Sequence, residues 1–178
     1  TNIALITDAG TPGISDPGEE LVRQCYEAGI PVTSLPGPAA CITALTMSGL
    51  PTRRFCFEAF LPAEKSDKKE RQRILEELKK ETRTMIVYEA PHLVETLEDL
   101  YGALGNRKIT ICRELTKKFE SAFQTTFEEA LAHYETEEPK GECVIVIAGK
   151  PVEEIREEEI RVWEEMPIEE HMEHYLSQ

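Results

Sequence analysis

Short apolar runs and amphipathic stretches alternate along the chain, and the period of each predicts its element. Residues 2–7 (NIALIT) form a continuous β-rich run, the pattern of a strand buried on both faces. Residues 31–35 (PVTSL), 54–60 (RFCFEAF), 82–90 (TRTMIVYEA) and 108–114 (KITICRE) read as strands too. So do 122–126 and the most apolar run, 142–149 (ECVIVIAG). Helical patterns fill the gaps. Leu21, Val22, Cys25 and Ala28 share one helical face, and Gly29 supplies a stop. Pro38 suits the first turn of a helix running to Met47. A charged helix lies within 61–81 and a short one covers 126–135. Leu93, Leu97, Leu100 and Leu104 repeat at helical spacing after Pro91 and predict a core stripe, closed by Gly105 and Asn106. Strands separated by such helices predict an α/β fold with largely parallel or mixed sheets.

Gly49 and Pro51 punctuate this alternation and set a boundary. The expected organisation is the later part of one α/β region at 1–50, a second α/β region at 51–150, and an acidic helical tail at 151–178. The tail's pattern breaks at Pro167. Ile168, Met172, Tyr175 and Leu176 then mark a second amphipathic helix that ends abruptly, the expectation for a truncated tail.

Charge alters this picture only locally. The chain carries a net charge of -14, which speaks against nucleic acid as a partner until its distribution is read. The tail holds ten Glu against Arg156 and Arg161. By contrast, 107–118 is basic, with Arg107, Lys108, Arg113, Lys117 and Lys118 against Glu114. Such runs are usually solvated faces, but a phosphate-binding edge depends on local contacts rather than on total charge. Five cysteines (Cys25, Cys41, Cys56, Cys112, Cys143) stand singly with no CxxC pair, and read as buried free thiols of a reducing cytosol. No apolar stretch approaches the roughly 20 residues of a membrane span, and no basic-then-apolar leader opens the chain.

The candidate chemistry begins in ITDAGTPGISDPG, residues 6–18, which packs three glycines, two prolines and two aspartates behind the first apolar run. A loop at the carboxyl end of a strand is where open α/β sheets bind ligands. Gly10 and Gly13 allow close backbone approach, Pro12 and Pro17 stiffen the path, and Asp16 with Pro17 reads as a helix start. Asp8 sits at the strand end. The loop is long for a βα connection, typically about 2–6 residues, although Gly, Pro and Asp are also ordinary turn residues. It matches neither the P-loop nor the dinucleotide fingerprint.

That loop, followed by SLPGPAACITALTMSGLP, RFCFEAFLP, VYEAPH, CRELTKKFE and KGECVIVIAG in this order, closely resembles the ribosomal RNA small-subunit methyltransferase I (RsmI) family of the tetrapyrrole methylase superfamily. The resemblance covers 2–149. It implies a two-domain tetrapyrrole-methylase-like α/β fold, here the later part of the first domain plus the complete second. It implies an S-adenosylmethionine-dependent enzyme that methylates a cytidine ribose 2′-hydroxyl in small-subunit ribosomal RNA. The enzyme would be a cytoplasmic homodimer with neither metal nor membrane partner. Members begin with a further stretch of the first domain, so the chain is expected to be an inactive or weakly binding piece. A small-molecule tetrapyrrole methylase and a non-catalytic scaffold remain alternatives.

Carried over onto matching positions, the resemblance makes Asp8, Gly10, Thr11, Pro12, Ile14 and Ser15 one cofactor wall and Pro38, Ala39 and Ala40 its neighbour. Tyr88, Glu89 and Ala90, with Gly141, Glu142 and Cys143, would complete the wall from the second region. Arg113, Lys117 and Lys118 are the substrate-binding candidates. Glu114 is the carboxylate to test first as a base for the ribose hydroxyl, against a plain ion pair with Arg113 or Lys117. Glu89 has the same two readings. His92 reads as part of a strand-to-helix cap rather than a catalyst. His171 and His174 lack companion ligands for a metal, and Trp163 alone makes no platform for bases.

Overall fold

Five of the seven apolar runs pair into one sheet: β1 (Phe55–Phe60), β2 (Thr84–Glu89), β3 (Lys108–Arg113), β4 (Ser121–Thr126) and β5 (Cys143–Ile147). They belong to a computed structural model that describes residues 2–63 and 67–166. The strand order is β1-β2-β5-β3-β4. β1 runs parallel to β2, whereas β5 runs antiparallel to both neighbours and β4 antiparallel to β3. The sheet is therefore mixed, with its most apolar strand in the middle. All five residues of β5 are buried, as expected of a strand with neighbours on both edges and cover on both faces.

Side chains alternate between the two faces of a strand, and here each face has its own core. Met85, Val87, Ile109, Ile111, Ile145 and Ile147 meet Leu75, Leu78, Leu93, Leu97, Leu100 and Phe127. Those partners come from α3 (Lys68–Leu78), α4 (Leu93–Leu104) and α5 (Phe127–Tyr134). Leu93, Leu97 and Leu100 are buried as the stripe predicts, with Leu104 partly buried beside them. On the other face Ile86, Cys112, Val144 and Val146 meet Cys41, Ala44 and Leu45 of α2 (Ala40–Met47). Thus α2, although it precedes the punctuation at 49–51, is the cover of this sheet. Its far end is fastened as well: Ser48 O accepts bonds from Thr110 Oγ1 at 3.1 Å and Gln124 Nε2 at 2.8 Å.

Two expected strands do not form. Residues 2–7 and 31–35 carry no strand pairing, and Ile3, Ile6 and Leu35 are 89 %, 84 % and 81 % exposed. An apolar run becomes a strand only where a neighbour supplies a ladder, and no described segment pairs with either. Between them lies α1 (Gly18–Glu27), which the chain leaves through Gly29 at φ 67°.

The 107–118 run is also divided. β3 carries it the length of the sheet, about 3.3 Å per residue, so Arg107 and Lys118 lie at opposite ends. Arg107 bonds the carbonyls of Leu104 and Lys79, a structural duty at the far end from the candidate site. The acidic tail begins as predicted with a helix, α6 (Val152–Glu165). Its second helix, with His171 and His174, lies outside the described residues. All five cysteines are free thiols, Cys41, Cys112 and Cys143 buried. Burial raises the thiols of Cys112 and Cys143 to about 11 and that of Cys56 to about 12, which keeps them protonated. Among the described residues no helix is long and apolar enough to cross a membrane.

Two local devices set the sheet's far end. Thr126 and Glu129 form a reciprocal capping box at the start of α5. The backbone after β5 presses on the chain before β2: a Cβ on Gly149 would stand 2.0 Å from Thr82 O, and Lys150 N–H donates to Glu81 O at 2.7 Å. Glu81 in turn binds Arg83 through both carboxylate oxygens, which holds its carboxyl down to about 2.

Thr126→Ala should cost about 1 kcal/mol in urea unfolding at neutral pH, with an unchanged denaturant slope. The Glu81 carboxyl is lowered, so its contribution is present above the unfolded value near 4.5 and fades as pH falls toward 2. Glu81→Gln should therefore cost about 2 kcal/mol at pH 7, allowing for screening at partly exposed Arg83. The gap between wild type and variant should close on acidification, and a constant gap from pH 7 to pH 3 would refute this account.

Candidate functional site

The candidate residues are assembled by three sets of contacts, each including a bond between segments far apart in sequence. The first closes the glycine-proline loop. Asp16 Oδ1 accepts the N–H groups of Gly13 at 3.0 Å and Gly18 at 2.8 Å. These two bonds pull the Asp16 carboxyl below its ordinary value and fold residues 13–18 onto the start of α1. Thr11 Oγ1 then donates to Pro38 O at 2.9 Å, laying the loop on the 36–38 turn. A Cβ at Gly37 would stand 2.9 Å from that hydroxyl oxygen and would push it aside. Asp8, Gly10, Ile14 and Ser15 are exposed on this loop, while Thr11 and Pro12 are half-buried.

The second contact joins the turn to the sheet. Ala39 stands at the N-cap of α2 and has no side chain with which to cap it. The orphan N–H of Cys41 donates instead to Tyr88 Oη at 2.9 Å, so a residue at the end of β2 caps a helix 47 positions earlier. Burial pushes the Tyr88 phenol up to about 12, which keeps it neutral. Phe57 and Phe60 pack edge-on against the Tyr88 ring, with centroids 4.8 and 5.5 Å away. Phe60 reaches that face because the register of β1 slips between Phe57 and Ala59; in a regular strand it would point the other way.

The third contact pins the start of β5. Glu114 Oε1 accepts from Glu142 N–H at 2.9 Å and from Lys117 Nζ at 3.1 Å. The Glu114 N–H donates to Glu142 O at 2.9 Å. Lys117 Nζ also lies 2.7 Å from Glu142 Oε2. The Glu142 N–H, with Lys117 beside it, lowers the Glu114 carboxyl, and the two carboxylates raise the Lys117 ammonium. Glu114 (φ 51°) and Thr116 (φ 64°) occupy the left-handed region rarely taken by such residues. The turn is held there by Lys117 N–H to Glu114 O and Glu120 N–H to Lys117 O. Arg113 bonds Ser121 Oγ and Lys140 O.

Register brings these parts to one end of the sheet. Glu89 pairs with Cys143, and Cys143 with Arg113, which pairs with Ser121. Tyr88 and the Pro38–Ala39–Ala40 turn share the α2 face there. Glu89 and Cys143 do not: they point to the opposite face. Glu89 is 7 % exposed, accepts the Thr96 hydroxyl, and lines a groove of about 630 Å³ with Arg71 and His92. Arg71 is spent on Asp99, Thr96 and Pro62 O. His92 stands at the N-cap of α4 without a capping side-chain bond, its Nδ1 3.8 Å from Glu95. Ala90 precedes Pro91 through a cis peptide bond. Phe57, Phe60, Arg71 and Thr96 were missed by sequence reasoning. The period-two aromatics of RFCFEAF point to Phe57, but nothing in the pattern signals the bulge that recruits Phe60.

Comparison with known proteins fits this architecture. Residues 1–131 match the family of tetrapyrrole (corrin/porphyrin) methylases. The chain belongs to that family. Within it, the chain is similar to the ribosomal RNA small subunit methyltransferase I of Synechocystis sp., 51 % identical over 155 residues, which are 86 % of this chain and 54 % of the relative. It is 45 % identical over 177 residues to the Bacillus subtilis protein of that name, covering 99 % of this chain and 59 % of the relative. The chain thus spans a little over half the length of these relatives. The methyltransferase CobJ shares the fold, with a TM-score of 0.59 at 20 % identity over 79 % of this chain and 62 % of that one.

Tyr88→Phe keeps the ring packing and removes the acceptor for Cys41 N–H. It should destabilise the protein by about 1–2 kcal/mol, read as a lower urea midpoint at unchanged slope. An unchanged midpoint would mean that the bond does not hold α2.

Proposed function

We propose that this protein is an S-adenosylmethionine-dependent methyltransferase that methylates the ribose 2′-hydroxyl of a cytidine in small-subunit ribosomal RNA, acting in the cytoplasm as a homodimer. The similarity to relatives named ribosomal RNA small subunit methyltransferase I, at 45–51 % identity over most of the chain, is the observation that carries this reading. The convergence of the glycine-proline loop, the 36–40 turn and Tyr88 supports it. The residues suit the cofactor chemically: the rings of Phe57, Phe60 and Tyr88 offer a face for a purine. Backbone groups of a loop built around glycine can approach its polar parts.

S-adenosylmethionine when bound would supply an activated methyl group. The protein's task is then alignment, which alone can be worth roughly 7–11 kcal/mol of barrier. The Thr11–Pro38 contact and the Tyr88 cap serve it by fixing the loop, the turn and the strand end against one another. The ribose hydroxyl must also lose its proton, and Glu114 is the carboxylate to replace first. Its Oε1 is already shared between Glu142 N–H and Lys117, and its lowered basicity makes it a poor proton acceptor. In this reading Glu114 and Lys117 are positioning residues that fix the 141–142 turn.

The test is single-turnover methyl transfer from labelled S-adenosylmethionine to small ribosomal subunits lacking the modification. Gln at position 114 can still accept from Glu142 N–H, so Glu114→Gln should lower the rate by less than the ~100-fold minimum usual for loss of a general base. A larger fall, without loss of cofactor binding, would make Glu114 the proton acceptor. Label on another nucleotide position, or no transfer by the protein extended to the full length of its relatives, would overturn the proposed activity.

A further inference from the structure

Phe119 projects from the tip of the β3–β4 turn with 64 % of its surface exposed. The turn is not a loose loop. Two left-handed residues, the bonds between Glu114, Lys117 and Glu120, and the Thr116 N–H bond to Glu120 Oε2 at 2.5 Å fix its course. The ring is thus held out to solvent by a rigid mount, with its ordering cost met on folding rather than on binding.

The charges around it have divided roles. Lys117 is bridged between Glu114 and Glu142, and Arg113 is spent on Ser121 and Lys140 O. Lys117 thus has its charge matched by carboxylates, whereas Arg113 keeps its charge but has its guanidinium held by two neutral acceptors. Lys118 takes part in no ion pair among the described residues, and its Nζ lies 5.4 Å from the Phe119 ring centroid, a cation–π arrangement. An exposed ring with a cation over it that no described carboxylate pairs is what an unpaired nucleotide recognises: the base stacks on the ring and the phosphate meets the ammonium. Arg113 pairs in register with Ser121 and with Cys143, which also faces Glu89. The turn therefore stands at the same end of the sheet as Tyr88 and the 141–142 segment.

We propose that Phe119 is a stacking platform for an unpaired base of the RNA substrate, with Lys118 as the accompanying phosphate contact. The assignment rests on the RNA-methylating reading above; of the three basic substrate candidates it keeps Lys118, and it adds Phe119.

The test measures anisotropy of a short, labelled single-stranded RNA and of purified small ribosomal subunits with the protein over a range of KCl concentrations. Phe119→Ala and Phe119→Leu should weaken binding about tenfold at every salt concentration. Phe119→Trp should restore it, with indole emission quenched as RNA is added. Lys118→Ala should reduce the dependence of log K on log salt by about one phosphate contact. All four variants should unfold at the wild-type urea midpoint. Wild-type affinity in Phe119→Ala, while the wild type itself binds RNA, overturns the platform and leaves the proposed activity standing. Loss of self-association in Phe119→Ala at unchanged RNA affinity makes the ring a protein contact and also overturns it. If the wild type binds neither RNA nor subunits, the RNA reading itself falls and the platform with it.

Discussion

Antiparallel pairing of β5 with both β2 and β3 is the constraint on which the rest depends. A strand of five residues, buried on both faces and bonded on both edges, has no freedom of register, because a slip of one residue would turn every side chain to the wrong core. Since β5 opposes both neighbours, its beginning lies beside their ends. Ala90, Arg113 with Glu114, and the 141–142 turn come from three distant parts of the sequence and meet for that reason alone. The same geometry sends Arg107 to the far end, where its guanidinium binds backbone carbonyls.

The second organising element is α2, a short helix that cannot cap itself. With Ala at its N-cap, it borrows the Tyr88 hydroxyl at one end and is fastened through Ser48 O at the other. Both fastenings tie the chain before residue 50 to the sheet after it. The Thr11–Pro38 bond passes the connection on to the glycine-proline loop. A cofactor wall made from that loop and the end of β2 would thus be positioned by hydrogen bonds that also hold the fold together.

Electrostatics follow the same economy. In a chain of net charge -14, the cations beside the candidate site are mostly committed: Arg71 to a helix and a loop carbonyl, Arg113 to Ser121 and Lys140, Lys117 to two carboxylates. Counting basic residues along the sequence therefore overstates what a phosphate would meet. Lys118, which has no ion pair among the described residues, lies over the exposed ring of Phe119.

Local pattern alone determined most of the elements. The runs that became β1, β2, β3, β4 and β5, the leucine stripe of α4 and the start of α5 are visible because period and end chemistry are properties of neighbouring residues. The glycine-proline loop was legible for the same reason, since Gly, Pro and Asp constrain the backbone wherever they occur. Tertiary structure decided what depends on partners distant in sequence. Residues 2–7 and 31–35 have the composition of strands, yet pair with no described segment, and hydrogen-bond ladders are made between segments. Tyr88 and Glu89 are neighbours in one motif but face opposite cores, and the bulge that swings Phe60 beside Tyr88 leaves no mark on an alternating pattern. The sequence left Glu114 either a base or the ion-pair partner of Arg113 or Lys117, because it records which groups are charged and not which of them meet. Only the folded chain, by bringing Glu142 against them, decided which of those charges were already satisfied.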